Sequence, residues 1–247
     1  MSAPRTAIVT GAGKRVGAAI AAALVDRGWS VLAHVHHAGD PVPEGAVKVV
    51  ADLQSPDCAG PIFDAAAALP PVRLLVNNAA RFAFDSLAEF ETGEFDAHMA
   101  VNVRAPMVLA RAFAKAVRRD GERPDALIVN LLDSKLSAPN PDFLSYTLSK
   151  QALAGFTELA ARALASDGIR VNGIAPALML PSGEQSEANF AAVHRANPLR
   201  RGVEPADVIA AIDYLLAARA VTGEVLTIDA GQRFLGLPRD VQFLESE

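Results

Sequence analysis

The sequence predicts an α/β protein of one domain, a doubly wound parallel sheet of seven strands with helices on both faces. Three observations predict it. Short β-branched runs alternate with Ala-rich segments long enough to be helices, as crossover connections between parallel strands require. A glycine-rich turn, TGAGKRVG at 10–17, joins the first such run to the first helical segment. The 247 residues, 51% hydrophobic and 21% charged, suit one large layered domain with a sizeable core better than two small ones.

In chain order, RTAIVT (5–10) reads as a strand and AAIAAALVDR (18–27) as the helix that returns the chain. WSVLAHV (29–35) and AVKVVA (46–51) continue the sheet, followed by a helix over DCAGPIFDAAAAL (57–69) and the strand RLLVNN (73–78). A long helical segment over 93–119 precedes DALIVNLL (125–132), and a second over 146–166 precedes IRVNGIAP (169–176). PADVIAAIDYLLA (205–217) and EVLTID (224–229) close the pattern. The strands read as unbroken apolar runs because a parallel sheet is covered on both faces. One long irregular stretch, about 177–203, carries the helical fragment EANFAAVHRA between Pro-containing loops. It follows the C-terminal end of a strand, where open α/β sheets bind ligands, and is read as a substrate lid.

Bulk properties exclude several classes. A net charge of −5 supplies no basic field for nucleic acid or an anionic membrane. The single cysteine, Cys58, forms no internal disulfide, and the N-terminus runs into a strand-like segment without a cleavable apolar stretch, so a cytoplasmic location is expected. No apolar window approaches the roughly 20 residues that span a bilayer. No His, Cys and carboxylate cluster has metal-ligand spacing, so no metal is expected; His98 reads as a helix-face residue and His194 as a lid surface residue.

In the glycine turn, Gly11, Gly13 and Gly17 let the backbone, with Val16, approach a pyrophosphate at a helix N-terminus, although the spacing departs by one residue from G-x-G-x-x-G. A capping loop with no ligand is the bland alternative. NAD sites commonly place an acid at the end of the second strand, and here Val35 stands there, followed by His36 and His37. Arg15 is within reach from the first turn, a combination that favours NADPH, while Asp40 lies farther along. Asp52, with Leu53 beside it, either meets the adenine amino group or caps its own turn. NNAA at 77–80, with Asn78 and Ala79, ends a strand in residues of strong local hydrogen-bonding ability and is expected to lock the sheet edge beside the cofactor. Pro176 ends the sixth strand, with Leu178 following at the lid.

Tyr146 and Lys150 stand four apart in a helical segment, so they share a face, and an ammonium beside a phenol lowers its pKa. With the glycine turn, NNAA and Asn102 in HMAVNV, this constellation resembles the short-chain dehydrogenase/reductase family, with its Rossmann fold, over nearly the whole chain. The resemblance implies Tyr146 as proton donor, Lys150 on the nicotinamide ribose, Asn102 holding a relay water, and a homotetramer paired through the helices at about 95–118 and 146–166. The family usually has a serine 13 residues before the tyrosine; here that position is Asp133. Arginine in the glycine turn, H-V-H-H at the strand end, an aromatic at Phe82 and this aspartate are similar to the pteridine reductases within the family. That likeness implies NADPH-dependent reduction of a pterin or dihydropterin, dihydrofolate and dihydromonapterin included. Phe82 would stack on the ring, with Arg15, Asp133, Tyr146 and Leu178 also against substrate. A serine suits a carbonyl oxygen that gains negative charge, whereas an ionised aspartate repels it and suits a ring nitrogen. Ser134 supplying the hydroxyl instead, a carbonyl reductase of 3-ketoacyl or sugar substrates, and a non-catalytic NADP-sensing protein are the alternatives. Arg81 is open between a phosphate or substrate contact and plain surface.

Overall fold

The computed structural model describes residues 3–119, 125–181 and 185–243. The strands are β1 Thr6–Val9, β2 Ser30–Val35, β3 Val47–Val50, β4 Val72–Asn77, β5 Ala126–Leu131, β6 Ile169–Pro176 and β7 Val225–Ile228. They form one sheet in the order β3-β2-β1-β4-β5-β6-β7, and every neighbouring pair is parallel. The helices are α1 Arg15–Asp26, α2 Ala59–Ala66, α3 Thr92–Met99, α4 Ala105–Arg119, α5 Leu144–Leu164, α6 Glu187–Ala196 and α7 Pro205–Ala217. The alternation read from the sequence is therefore the architecture, a doubly wound Rossmann-like domain.

Successive strand residues point to opposite faces, and both faces are apolar. Ala7 and Val9 pack with Ile20, Leu24, Val208, Ile212 and Leu215 under α1 and α7. Ile8, between them, faces the other side with Leu32, Leu75 and Ile128, beneath Ile62 of α2, Leu109 and Phe113 of α4 and Ala160 of α5. The chain winds outward from β1 to β3 and then crosses to β4 on the other side of β1, so the connections leaving β1 and β4 diverge and open a crevice at the strands' C-terminal ends. Asn77 and Asn78 consequently sit at mid-sheet, which corrects the expectation that they lock an edge.

The segment expected as one helix over 93–119 is helical throughout, with a π-turn inside it. Ala100–Arg104 forms a π-helical turn between α3 and α4. Such turns carry one extra residue in the helical ladder and re-aim the side chains around it, and here the residue at its centre is Asn102. Cys58 is a free, buried thiol. Among the described residues no helix is long and apolar enough to cross a membrane.

Candidate active site

The glycine turn is held from two sides. Gly11 adopts φ 65°, and a Cβ on Gly17 would lie 2.1 Å from the Gly11 carbonyl oxygen and 2.4 Å from Asn78 Nδ2, so packing of the turn itself requires glycine. Asn78 Nδ2 donates to the carbonyls of Thr10 (2.9 Å) and Gly11 (3.2 Å), and the Thr10 hydroxyl accepts from the amides of Asn78 and Ala79, each at 3.0 Å. Beneath the turn, His34 is buried; its Nδ1 accepts from the Gly11 amide at 3.2 Å and its Nε2–H donates to the Ala51 carbonyl at 3.0 Å. Val16 packs into the core under α1. The N-terminus of α1 has no side-chain cap and no acidic residue in its first turn. Its free N–H groups and positive dipole end thus remain available to an anion, as a bound dinucleotide pyrophosphate would require.

Arg15 and Asp40 are placed differently from expectation. Arg15 begins α1 with φ 53°, and its guanidinium donates to the carbonyls of Pro181 (2.9 Å) and Leu180 (3.4 Å). It therefore ties the first turn to the lid and does not reach across to β2. His36 and His37 are exposed at the end of β2, edge to face at 4.2 Å, while Val35 is buried. The loop after them folds back, so Asp40 Cβ lies 3.3 Å from the position a Cβ on Gly13 would take, and the Asp40 carboxylate accepts from the His37 amide at 3.0 Å. Asp52 accepts from the Gln54 amide at 2.8 Å and caps its own turn, and the Leu53 side chain belongs to the core.

Four of the predicted residues converge at the C-terminal ends of β4 and β5. Tyr146 OH donates to Asp133 Oδ2 at 3.0 Å, and the other carboxylate oxygen accepts from the Lys135 amide at 2.8 Å. The phenol thus meets Asp133, and Ser134, which lines the same cavity, begins a short 3-10 turn beside it. Lys150 Nζ donates to the Leu131 carbonyl at 2.6 Å and lies 5.4 Å from the centre of the Tyr146 ring. Asn102 is locked by three bonds: Oδ1 accepts from the Arg81 amide (2.7 Å), and Nδ2 donates to the Arg81 carbonyl (3.0 Å) and Ser149 Oγ (2.9 Å). The π-turn that carries it and the helix that carries Tyr146 are thereby fixed to each other.

The electrostatics follow from enclosure. Burial raises the Asp133 carboxyl above its ordinary range, opposed by the bonds from the Lys135 amide and Tyr146 and by the Lys150 and Lys135 charges. Tyr146 is held well above the usual phenol value, first by burial and then by the Asp133 carboxylate it faces. This reverses the expected depression by Lys150, because burial disfavours the phenolate and the hydroxyl points at a carboxylate while the ammonium is spent on a carbonyl. Lys150 itself is lowered to about 8 by burial, with Asp133 opposing. Such an arrangement keeps the proton on the phenol and aims it along the hydrogen bond to the carboxylate.

An aromatic wall borders these groups. Phe82 stacks on Phe143 at 4.3 Å and meets Tyr146 edge to face at 4.7 Å. Phe143, immediately before α5, holds φ 57°, a conformation costly for a bulky residue and maintained by this packing. Asp85 caps α5 from a distance, accepting from the Ser145 amide (3.0 Å) and hydroxyl. Leu178 lines the cavity and Pro176 ends β6. Within the described part of 177–203, His194 Nε2 donates to the Leu178 carbonyl at 2.9 Å and its ring packs on Phe190. Residues 182–184 lie outside the described residues. Arg81 is paired bidentately with Glu94 at 2.7 and 3.1 Å, and His98 is buried, bridging the Glu94 carbonyl and the Ala83 amide. Thr10, His34, Asp85, Lys135, Phe143 and Ser149 all support the site in roles that sequence reasoning did not assign. Of these, only Thr10, at the start of the glycine turn, and His34, in the H-V-H-H strand end, carried a local signal. Among the described residues no group of three or more His, Cys, Asp or Glu could hold a metal ion.

A family model described as Enoyl-(Acyl carrier protein) reductase matches residues 11–233. The crystal structure titled FolM Alternative dihydrofolate reductase 1 from Brucella canis, complexed with NADP, superposes with a TM-score of 0.85 at 35% identity over 94% of each chain. Pteridine reductase 1 of Leishmania tarentolae is 29% identical over 91% of this chain and 95% of its own. L-xylulose reductase of Mesocricetus auratus is 30% identical over 92% and 96%. With this fold and these matches along nearly its whole length, the chain belongs to the short-chain dehydrogenase/reductase family of oxidoreductases.

Proposed function

We propose that the chain is an NADPH-dependent reductase of a pterin or dihydropterin, dihydrofolate and dihydromonapterin included. The observation that carries the reading is the Tyr146–Asp133 hydrogen bond beside Phe82, a carboxylate where carbonyl chemistry calls for a hydroxyl. The pteridine reductase of L. tarentolae and the NADP complex from B. canis are its supporting relatives. NADPH, when bound, supplies the hydride. Gly11, Gly13, Val16, Gly17, Asn78 and Ala79 would hold it at the uncapped end of α1, with His36, His37, Asp52, Leu53 and Pro176 along its length and Lys150 at the nicotinamide ribose. Arg15 would face both cofactor and substrate from beneath the lid.

The reaction adds hydride to the carbon of a C=N bond and a proton to its nitrogen, so the chain has one proton to deliver. The Tyr146 hydroxyl, which donates to the Asp133 carboxylate, supplies it, and Asp133, its carboxyl raised by burial, relays it to the ring nitrogen and is left ionised. Asn102 holds a relay water that resupplies the pair past Lys150. Phe82 stacks on the flat ring, worth about 0.5–1.5 kcal/mol for an aromatic pair, and Leu178 covers it under the lid, 177–203. A sugar or 3-ketoacyl ketone is the competing substrate, as the similarity to L-xylulose reductase keeps in view. A panel of oxidised pterin, dihydropterin, dihydrofolate and simple ketones, followed by NADPH oxidation, tests the reading; turnover of ketones alone overturns it. Exposed Met107 on α4 and Leu148 and Leu159 on α5 support a homotetramer, for which light scattering is the check.

A further inference from the structure

The cavity that holds Asp133 and Phe82 is also lined by the segment that follows β7, which supplies Arg233, Leu237, Asp240 and Gln242. This segment is pinned to the loop between β5 and α5 by charge and by aromatic stacking. Lys135 Nζ donates to Asp240 Oδ2 (2.9 Å), Asn140 Oδ1 (3.0 Å) and the Asp142 carbonyl (2.9 Å), so all three of its protons are used. Arg239 grips both oxygens of Asp142 at 2.8 to 3.1 Å, and the Asp240 amide donates to the same carboxylate at 2.8 Å. Phe243 stacks on Phe143 at 6.0 Å and meets Phe84 at 5.4 Å, so the ring supporting Phe82 is itself supported by the strap.

Lys135 is the joint between strap and site. Its amide orients Asp133, its ammonium fixes Asp240, and its charge lies 5.0 Å from the Phe143 ring. We infer that the strap at 237–243, held through the Lys135–Asp240 pair, determines substrate affinity and selectivity by setting part of the cavity wall that Asp133 also lines. This deepens the proposed function and rests on it. Asp133 and Asp240 both line the cavity, which thus presents carboxylates to a flat ring bearing N–H groups at its edges. A short ketone has no N–H to offer either carboxylate. Lys135 acts as a positioning residue and Asp240 as a specificity residue. Neither side chain extends to the glycine turn in any described contact.

The test is a double-mutant cycle on the full chain, Lys135→Met, Asp240→Leu and both together, with KM and kcat for dihydropterin and NADPH affinity by fluorescence titration. Each single change should raise KM about tenfold. The double variant should raise it no further, because the two residues act as one unit, while NADPH affinity shifts less than twofold. Phe243→Ala, on an exposed ring, provides a gentler release of the strap and should raise KM about threefold. KM unchanged in the single variants, multiplicative effects in the double, or parallel loss of NADPH affinity each overturns the inference. Absence of pterin turnover by the unaltered chain overturns the proposed function and the inference together; turnover with unmoved variant KM overturns the inference alone.

Discussion

Replacing Asp133 with asparagine isolates the charge on which the substrate reading depends. Asparagine preserves the shape and an acceptor for the Lys135 amide at 2.8 Å, but its other atom is an N–H₂ facing the Tyr146 oxygen, now 3.0 Å from a carboxylate oxygen. Two consequences of opposite sign follow. Pterin reduction loses a proton carrier next to the ring nitrogen, a loss of roughly 10²-fold or more in kcat for a general acid. Ketone reduction loses a repulsion: an oxyanion accepting from Tyr146 would stand about 4 Å from the carboxylate, where two unit charges at an effective dielectric of about 20 interact by about 4 kcal/mol. The carbonyl oxygen carries about half its final charge in the transition state, so about 2 kcal/mol reaches the rate, roughly a 30-fold gain. The assay is NADPH oxidation with dihydropterin and with a simple ketone, for the unaltered chain and for Asp133→Asn and Asp133→Ser. Retention of most pterin activity by either variant, or no gain with the ketone, refutes the reasoning and returns Ser134 to consideration.

Three further outcomes are expected. Between about 8, where burial places Lys150, and its unfolded value of 10.5, the unfolded chain binds the extra proton, so stability should rise with pH across that window by about 3 kcal/mol; urea unfolding of the unaltered chain against Lys150→Met, which lacks that slope, is the check. His34 is lowered by burial, so stability should also fall as pH drops below 6.5; His34→Leu should remove that acid limb and, by orphaning the Gly11 amide and Ala51 carbonyl, cost about 2–4 kcal/mol, read from urea unfolding at neutral pH. Gly17→Ala drives a methyl to 2.1 Å from the Gly11 oxygen; it should weaken NADPH at least 10-fold and destabilise by about 1–3 kcal/mol, and unchanged cofactor titration would contradict the packing argument.

Alternating apolar runs and Ala-rich segments determined the seven-stranded parallel sheet, because strand and helix periodicities are local and both faces of a parallel sheet must be covered. The shared face of Tyr146 and Lys150 and the glycine turn were equally legible, since both depend on spacings shorter than two helical turns. What the phenol touches was not. The Tyr146 pKa is raised first by burial and then by the carboxylate its hydroxyl meets, and both the enclosure and that partner were set by the 3-10 turn after β5 and the packing of Phe143. Tertiary structure alone turned Arg15 to the lid, folded Asp40 back beside Gly13, opened the π-turn at Asn102 and brought Asp240 to Lys135. Each of these joins residues distant in the chain, and such partners are chosen by burial and hydrogen-bond satisfaction, which exist only after the layers have packed.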